Sequence, residues 1–183
     1  MALVSATKPA SSTIGGGVAF AASGTTLPTS ATAALAAAFK NFGYISADGV
    51  RRSIDITSET IKAWGGDVVA VLNNEKVETF TFKILEVDNV DALALIFGTA
   101  SGTLGTGITV QSKFPENTEN VYAITMALKD GYVERLVIPK GVITSIGEIS
   151  YVDNDVTGVE ITVTALADST GVTCYDYIAK PGT

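Results

Sequence analysis

The stretch from Val77 to Gly98 constrains the fold most, because its hydrophobic period changes from that of a strand to that of a helix. From residue 78 to residue 87 apolar and polar residues alternate, as in a strand with one buried and one wet face. After Val87 apolar residues recur at helical spacing. Gly98 follows the last of them, at the position where glycine commonly ends a helix. The stretch therefore predicts a sheet strand followed by a short helix that closes one end of the core.

The alternation also assigns side chains to faces. The predicted core residues are Phe80, Phe82 and Ile84 of the strand and Leu93 and Phe97 of the helix. The opposite, wet face of the strand presents Thr79, Thr81 and Lys83.

Two acids mark the start of the predicted helix, Asp88 as its N-cap and Asp91 in its first turn. An acid–base couple is the alternative interpretation of this pair. Capping and the helix dipole explain both carboxylates without a catalytic role, so a role in stabilising the start of the helix is favoured.

The rest of the chain predicts many strands and few helices. Strand patterns and turn signals, among them Asp130-Gly131, predict a mainly β domain over residues 31–183, an antiparallel β-sandwich or barrel of about eight strands packed by one short α-helix. Three weaker signals are a helical pattern from Pro28 to Gly43, a turn at Asn73-Asn74 and a flexible loop from Gly98 to Gly107.

Composition removes most catalytic chemistry. The chain has 183 residues, no histidine and one cysteine, which excludes histidine-dependent nucleophiles, histidine-ligated metals and intrachain disulfides. Cys174 lies in an apparent strand, where a buried, inert thiol is the favoured interpretation. The glycine-rich loops lack the Gly-Lys-Ser/Thr of a phosphate-binding loop. We predict no catalytic, cofactor-binding or metal-binding residues, and no enzyme.

Residues 153–158 are the nearest match to a metal motif. Asp153, Asn154 and Asp155 with Gly158 faintly resemble a calcium loop, but the position that needs a bidentate glutamate falls on Thr164. Asp, Asn and Gly are turn formers, so a hairpin turn is the favoured interpretation.

Charge and hydropathy bear on the partners. Residues 1–40 carry two lysines and no acid, whereas the remaining residues hold all 19 acids and ten bases. An acidic body argues against gripping phosphates but not against DNA that passes without sticking. No apolar run of about 18 residues occurs, so no membrane span is predicted. Pro9 and the glycines nearby interrupt any signal-peptide core, so secretion by that route is not expected.

A family resemblance rests on residues 24–98. The motifs that carry it are LPT, GYIS-x-DGV, IKAWGGD, ETFTF and the acidic-capped helix that ends in Phe-Gly. Together they resemble the major tail protein, the tail-tube subunit, of long-tailed bacteriophages. The resemblance implies a β-sandwich whose subunits form hexameric rings, stacked into a tube that conducts DNA. It also implies the tape-measure protein and the tail terminator as partners, a place in the virion tail, and the host cytoplasm during assembly.

The resemblance also bears on the two ends of the chain, on Trp64 and on the wet face of the strand. Residues 1–30, rich in Ala, Ser, Thr and Gly, are expected to form an extended arm that packs on a neighbouring subunit through Ile14, Val18 and Phe20. No C-terminal immunoglobulin-like domain is expected. Trp64, beside two glycines, is either a core anchor or an interface anchor. Thr79, Thr81 and Lys83 are candidates for the lumen wall.

Three alternatives stay open. They are a head-decoration protein, the inner-tube subunit of an injection device and, from another class, a carbohydrate-binding β-sandwich. The last would need exposed aromatic residues clustered at one loop end, and the 14 aromatics here are scattered.

Overall fold

The computed structural model describes residues 6–7, 17–85, 88–103, 105–113, 118–128, 131–149 and 157–180. Within these ranges lie one helix, α1 (Val90–Phe97), and eleven strands: β1 (Ala6–Thr7), β2 (Val18–Ala22), β3 (Lys40–Asn41), β4 (Ile45–Lys62), β5 (Val68–Ile84), β6 (Gly98–Thr103), β7 (Gly107–Ser112), β8 (Asn120–Leu128), β9 (Val133–Ile146), β10 (Val159–Ala165) and β11 (Tyr175–Ala179).

Nine strands form one antiparallel sheet in the order β3-β2-β8-β9-β10-β5-β4, with β1 added to β8 and β11 added to β9. Strands β6 and β7 form a separate hairpin beside α1. Among the described strands, the path ends at β3 and β4 without closing. The prediction of a mainly β fold with one short helix is confirmed, as a sandwich rather than a closed barrel.

Phe42 shows how the sheet makes a core. Its ring stacks on Tyr122 of β8 at 6.3 Å and meets Phe82 of β5 edge-on at 5.4 Å. Three strand spacings, about 14 Å in a flat sheet, separate β8 from β5. The sheet therefore curls around Phe42, and α1 covers the core with Ala92 and Ile96.

The predicted core residues lie on the inner side of this curl. Phe80, Phe82 and Ile84 are buried, and Leu93 of α1 is buried as well. Phe97 is only partly buried and packs against the edge of the core.

The helix begins one residue later than the sequence predicts. Asn89, not Asp88, is the N-cap, because its side-chain oxygen accepts from the Ala92 backbone N–H at 3.2 Å. Its amide nitrogen also donates to the Asn41 carbonyl at 2.6 Å, which ties the helix to β3. Asp91 pairs with Lys40 at 2.6 Å. The helix ends at Gly98, whose φ of 103° disfavours side chains.

The predicted helix between Pro28 and Gly43 is wrong, since the described residues there form turns and the short strand β3. Arg135 explains the difference. Its guanidinium donates to the backbone carbonyls of Ser30 at 3.1 Å and Ala33 at 2.5 Å, the groups a helix would use internally.

Two other local predictions also fail. Asn73-Asn74 does not turn the chain but lies at a bulge inside β5, where the pairing shifts between Thr57 and Ser58 of β4. The expected loop from Gly98 is largely the β6–β7 hairpin. Gly102 is required there, since an added Cβ would lie 2.0 Å from the Gly107 carbonyl oxygen.

The expected arm is in part an integral strand. β2 pairs with β8 on one side and with β3 on the other, and Val18 and Phe20 are 1% and 6% exposed in the subunit's own core. The expectation that these two side chains contact a neighbour is therefore wrong. Ile14 lies outside the described residues, as do Asp153, Asn154 and Asp155.

Candidate assembly surface

The most unusual feature is a two-stranded ribbon, residues 54–77, that extends beyond the sheet. The last β10 residue, Ala165, pairs with Glu78, so among the described strands β5 from Val77 back to Val68 has β4 as its single partner. The strands run together to a tip at residues 63–67, where the Ala63 N–H donates to the Asp67 carbonyl. The ribbon is about 30 Å long.

The ribbon exposes an unusual amount of apolar surface. Its large exposed apolar residues, between 45% and 103% accessible, are Ile54, Ile56, Ile61, Trp64, Val68, Val69, Val71 and Leu72. A two-stranded hairpin is marginally stable alone, and contiguous exposed apolar surface marks an interaction site. The ribbon therefore has the properties of a segment that another chain covers.

Its two faces differ in chemistry. Cross-strand pairs place Ile54, Ile56 and Val71 on the face that continues the core side of the sheet. The other face carries the acids Asp55, Glu59 and Glu75 beside Leu72 and Ile61. Among the described residues none of these three acids forms a salt bridge.

A buried carboxylate fixes the root of the ribbon. Glu78 is fully buried, and its Oε1 accepts from Arg52 Nε at 2.6 Å. Its Oε2 accepts from Thr173 Oγ1 at 2.5 Å and lies 3.2 Å from Lys76 Nζ. Burial alone raises the pKa of Glu78, but the hydrogen bonds from Thr173, Lys76 and Arg52 outweigh it, so the pKa is lowered. The cluster joins both ribbon strands to the segment before β11.

Neighbouring groups complete this cluster. Arg52 also lies 3.9 Å from Asp176 and over the Phe80 ring at 5.6 Å. Burial and the nearby Asp176 carboxylate raise the pKa of Glu134. Burial raises the pKa of the half-buried Cys174 thiol to about 11, so the thiol is protonated at neutral pH.

The three lumen candidates lie together on the outer side of the sheet. Thr79, Thr81 and Lys83 pair with residues of β10 and are partly exposed. We call this surface the polar face; its members are Arg51, Thr79, Thr81, Lys83, Thr144, Glu160, Thr162 and Thr164. Hydroxyl pairs run across it, Thr81 to Thr162 at 3.0 Å and Thr144 to Thr164 at 2.8 Å. Arg51 pairs with Glu160 at 3.3 Å.

Of the residues singled out for assembly, only Trp64 lies on the described surface. Its side chain is 103% exposed at the ribbon tip, which removes the core interpretation for the isolated subunit. Sequence reasoning missed the other ribbon residues and Glu78. The run from Val68 to Leu72 could have indicated the ribbon, because it is too uniformly apolar for an edge strand that has water on both faces.

The described residues also bear on metal binding and on membrane crossing. They contain no group of three acidic or cysteine side chains placed to bind a metal. In the same ranges, no helix is long and apolar enough to cross a membrane. Asp168 accepts from the Thr170 hydroxyl, which lowers its pKa most, and from Tyr175 and the Val172 N–H, as in a local turn.

Residues 11–182 match a protein-family model described as phage tail tube protein. No match was found among curated protein sequences.

Similar solved structures include the tube-terminating cap of the anti-feeding prophage, at 9% identity and TM-score 0.45 over 98% of this chain and 96% of that one. The tail of an empty GTA particle is 13% identical, with TM-score 0.43 over 78% and 89%. The sheath–tube complex of an extracellular contractile injection system is 10% identical, with TM-score 0.44 over 88% of each chain.

Proposed function

The chain belongs to the phage tail tube protein family and is a structural component of a phage tail, and from this premise we propose how its copies assemble. Subunits form rings, hexameric as the family resemblance implies, and the rings stack into a tube through which the genome passes. The observation that supports this best is the ribbon, which exposes its apolar side chains on a subunit that is otherwise well packed.

In the proposed tube the two faces of the ribbon have different surroundings: an adjacent subunit covers one, and water contacts the other. Apolar residues such as Ile54 and Ile56 would be covered by an adjacent subunit, because burying them removes apolar surface from water. The acidic ribbon face continues the polar face and would stay hydrated. β4 also leaves its outer edge unpaired along 18 residues of the described chain, and a ring could pair such edges.

The polar face suits a wall past which DNA slides. Threonine hydroxyls give it a hydrated surface without a cluster of cations. Together with the acidic ribbon face it holds four acids, Asp55, Glu59, Glu75 and Glu160, against the two bases Arg51 and Lys83. Phosphates would then meet weak repulsion rather than tight binding. Arg52 and Arg135 do not belong to this surface, since Arg52 lies over Phe80 and Arg135 is buried.

The partners and places that the family resemblance implies belong to the same proposal. The tape-measure protein would occupy the lumen during assembly in the host cytoplasm, and a tail terminator would close the last ring. The proposed role is structural and needs no catalysis.

Electron microscopy of the purified protein tests this function. Wild type should form hollow tubes or isolated rings as its concentration rises. Ile56→Asp should stay as folded single subunits, because a charge would enter the covered face. Thr57→Asp is the matched control: it alters the adjacent exposed residue on the opposite face and should still assemble.

Three results would contradict parts of the proposal. Wild type that remains monomeric at every concentration rejects self-assembly. Normal tubes from Ile56→Asp reject the covered apolar face. Assembly by Ile56→Asp but not by Thr57→Asp reverses the two faces.

A further inference from the structure

Two features of the described chain lie at opposite ends of β5. At one end is Trp64, in the ribbon tip that precedes Val68, the first residue of the strand. At the other end is a groove of about 450 Å³, lined by Leu93, Phe97, Ile108, Val110, Ile149 and Val159. Val159 pairs with Ile84, the last residue of β5. About 55 Å of strand separates the two features, so the tip cannot reach the groove of its own subunit.

The groove matches an indole in chemistry. Its lining is mainly apolar, and its remaining members, Ser112 and Thr157, carry hydroxyl groups. An indole has a large apolar surface and a single N–H donor, which needs one acceptor when it is buried. Either hydroxyl oxygen is of the right type to accept that hydrogen bond.

The charges beside tip and groove are complementary. Lys62 precedes the tip and Asp67 is its last residue, whereas Lys113 and Glu148 follow and precede groove residues in the sequence. Lys113 also donates its backbone N–H to the carbonyl of Phe97, which holds it at the groove. Within the part of the chain that the structure describes, none of these four charges forms a salt bridge. Each end thus offers one cation and one anion that have no salt-bridge partner among the described residues.

We propose that Trp64 of one subunit inserts into this groove of the next subunit along the tube, with Asp67 facing Lys113 and Lys62 facing Glu148. This inference rests on the proposed self-assembly and assigns the occupant of a particular site within it. Because tip and groove lie at opposite ends of one strand, the contact is head to tail. Repeated contacts of that kind extend a stack rather than close a dimer.

The single tryptophan makes a direct test possible, because all tryptophan emission comes from Trp64. Dilute subunits should show the red-shifted emission of an indole in water, readily quenched by acrylamide. On tube formation the emission should shift to shorter wavelength and the quenching constant should fall several-fold. Trp64→Ala, at a fully exposed site, should fold normally and weaken association about 30-fold or more, as expected for a central anchor.

Val110→Asp tests the groove, and Leu166→Asp is its matched control. The two native side chains are 39% and 38% exposed, and Leu166 follows the end of β10 remote from Val159. Circular dichroism and denaturation midpoints establish that both variants fold. Val110→Asp should leave Trp64 exposed and association weakened, whereas Leu166→Asp should retain the blue shift.

A charge exchange tests the orientation. Asp67→Lys and Lys113→Asp should each reduce association by a few-fold, and combining them in one chain should restore it. Failure of the double variant to recover overturns the assigned pairing.

The outcomes separate this inference from the proposed function. Tubes that form while Trp64 emission stays red-shifted overturn the docking and leave self-assembly intact. An unchanged blue shift in Val110→Asp overturns the groove as the site. Absence of any association by wild type, measured by sedimentation, rejects both.

Discussion

Replacing Glu78 by glutamine tests whether the buried carboxylate fixes the root of the ribbon. The change keeps the shape of the side chain but removes its charge, and it turns one of the two acceptor atoms into a donor. Arg52, Lys76 and Thr173 all direct donors at this group, at distances of 2.5 to 3.2 Å. At least one of these donors must then face the new NH₂ group.

The expected loss is about 2–3 kcal/mol in the free energy of unfolding. Removing one partner of a buried ion pair costs about 3–5 kcal/mol when the other charge remains buried without a partner. Here the side chains of Arg52 and Lys76 are 33% and 48% exposed, so water recovers part of the cost. For a chain of this size the melting temperature should fall by about 5–10 °C.

The effect should depend on pH with a definite sign. The pKa of Glu78 is lowered from 4.5 in the folded subunit, so its stabilisation is fully present above pH 4.5. It is lost as the pH falls through the lowered folded-state pKa. The difference between wild type and Glu78→Gln should therefore be largest at neutral pH and shrink in acid.

Urea unfolding of the unassembled subunit, followed by circular dichroism from pH 7 down to about pH 3, measures both quantities. Glu75→Gln is the matched control, because Glu75 is exposed on the ribbon and should change the stability by less than about 0.5 kcal/mol. Equal stability of wild type and Glu78→Gln at pH 7, or a difference that does not shrink in acid, would refute the reasoning.

Three other substitutions test the core and the charge cluster by the same unfolding measurement. Tyr122→Phe should stabilise the subunit by about 1 kcal/mol, because the buried Tyr122 hydroxyl has no hydrogen-bond partner in the described structure; a loss would reveal a partner. Gly141→Ala should destabilise it by about 1–3 kcal/mol, since the new Cβ would lie 2.8 Å from the Tyr122 ring and from Val163 Cγ1; a neutral result would mean that the sheet yields there. Glu134→Gln should stabilise it by up to about 1 kcal/mol at pH 7 and by nothing below pH 4.5, because the raised pKa of Glu134 means that its ionised form is disfavoured in the folded state; destabilisation would contradict this sign.

The central strand could be predicted from the sequence because geometry dictates its pattern. A strand alternates its side chains strictly, so aromatic residues at 80 and 82 between polar residues leave one arrangement that buries the rings. The helix that follows was predicted for a similar reason. Its first residue was not, because Asp88 and Asn89 are both good caps. Asn89 prevails through a bond to Asn41, 48 residues away, which no local pattern contains.

The ribbon could not be predicted because an apolar pattern does not say which chain covers it. The run from Val68 to Leu72 resembles a strand buried in its own domain, and Asn73-Asn74 resembles a turn. In the structure the run is exposed and the asparagines lie at a bulge. The sequence records that these side chains need burial, but the same preference serves a subunit's own core or a neighbour's surface.

Deleting residues 2–22 separates the two interpretations of the N-terminal segment. The sequence pattern predicts a folded subunit that no longer forms tubes, because the segment resembles an arm that becomes ordered only against a neighbouring subunit. The structure predicts that the subunit fails to fold. The deletion removes β2, exposes the edge of β8 and takes Phe20 from its contact with Phe42, where the ring centroids are 4.6 Å apart.

The loss of the Phe20 side chain alone costs about 3–5 kcal/mol, against a total stability of about 5–15 kcal/mol for a typical domain. Five residues of β-ladder are lost in addition. The point variant Phe20→Ala should therefore be folded but weakened by that amount, whereas the deletion should lack a cooperative unfolding transition. A deletion variant with a normal β spectrum and a cooperative transition would restore the arm interpretation and show that β2 adds little to its own domain.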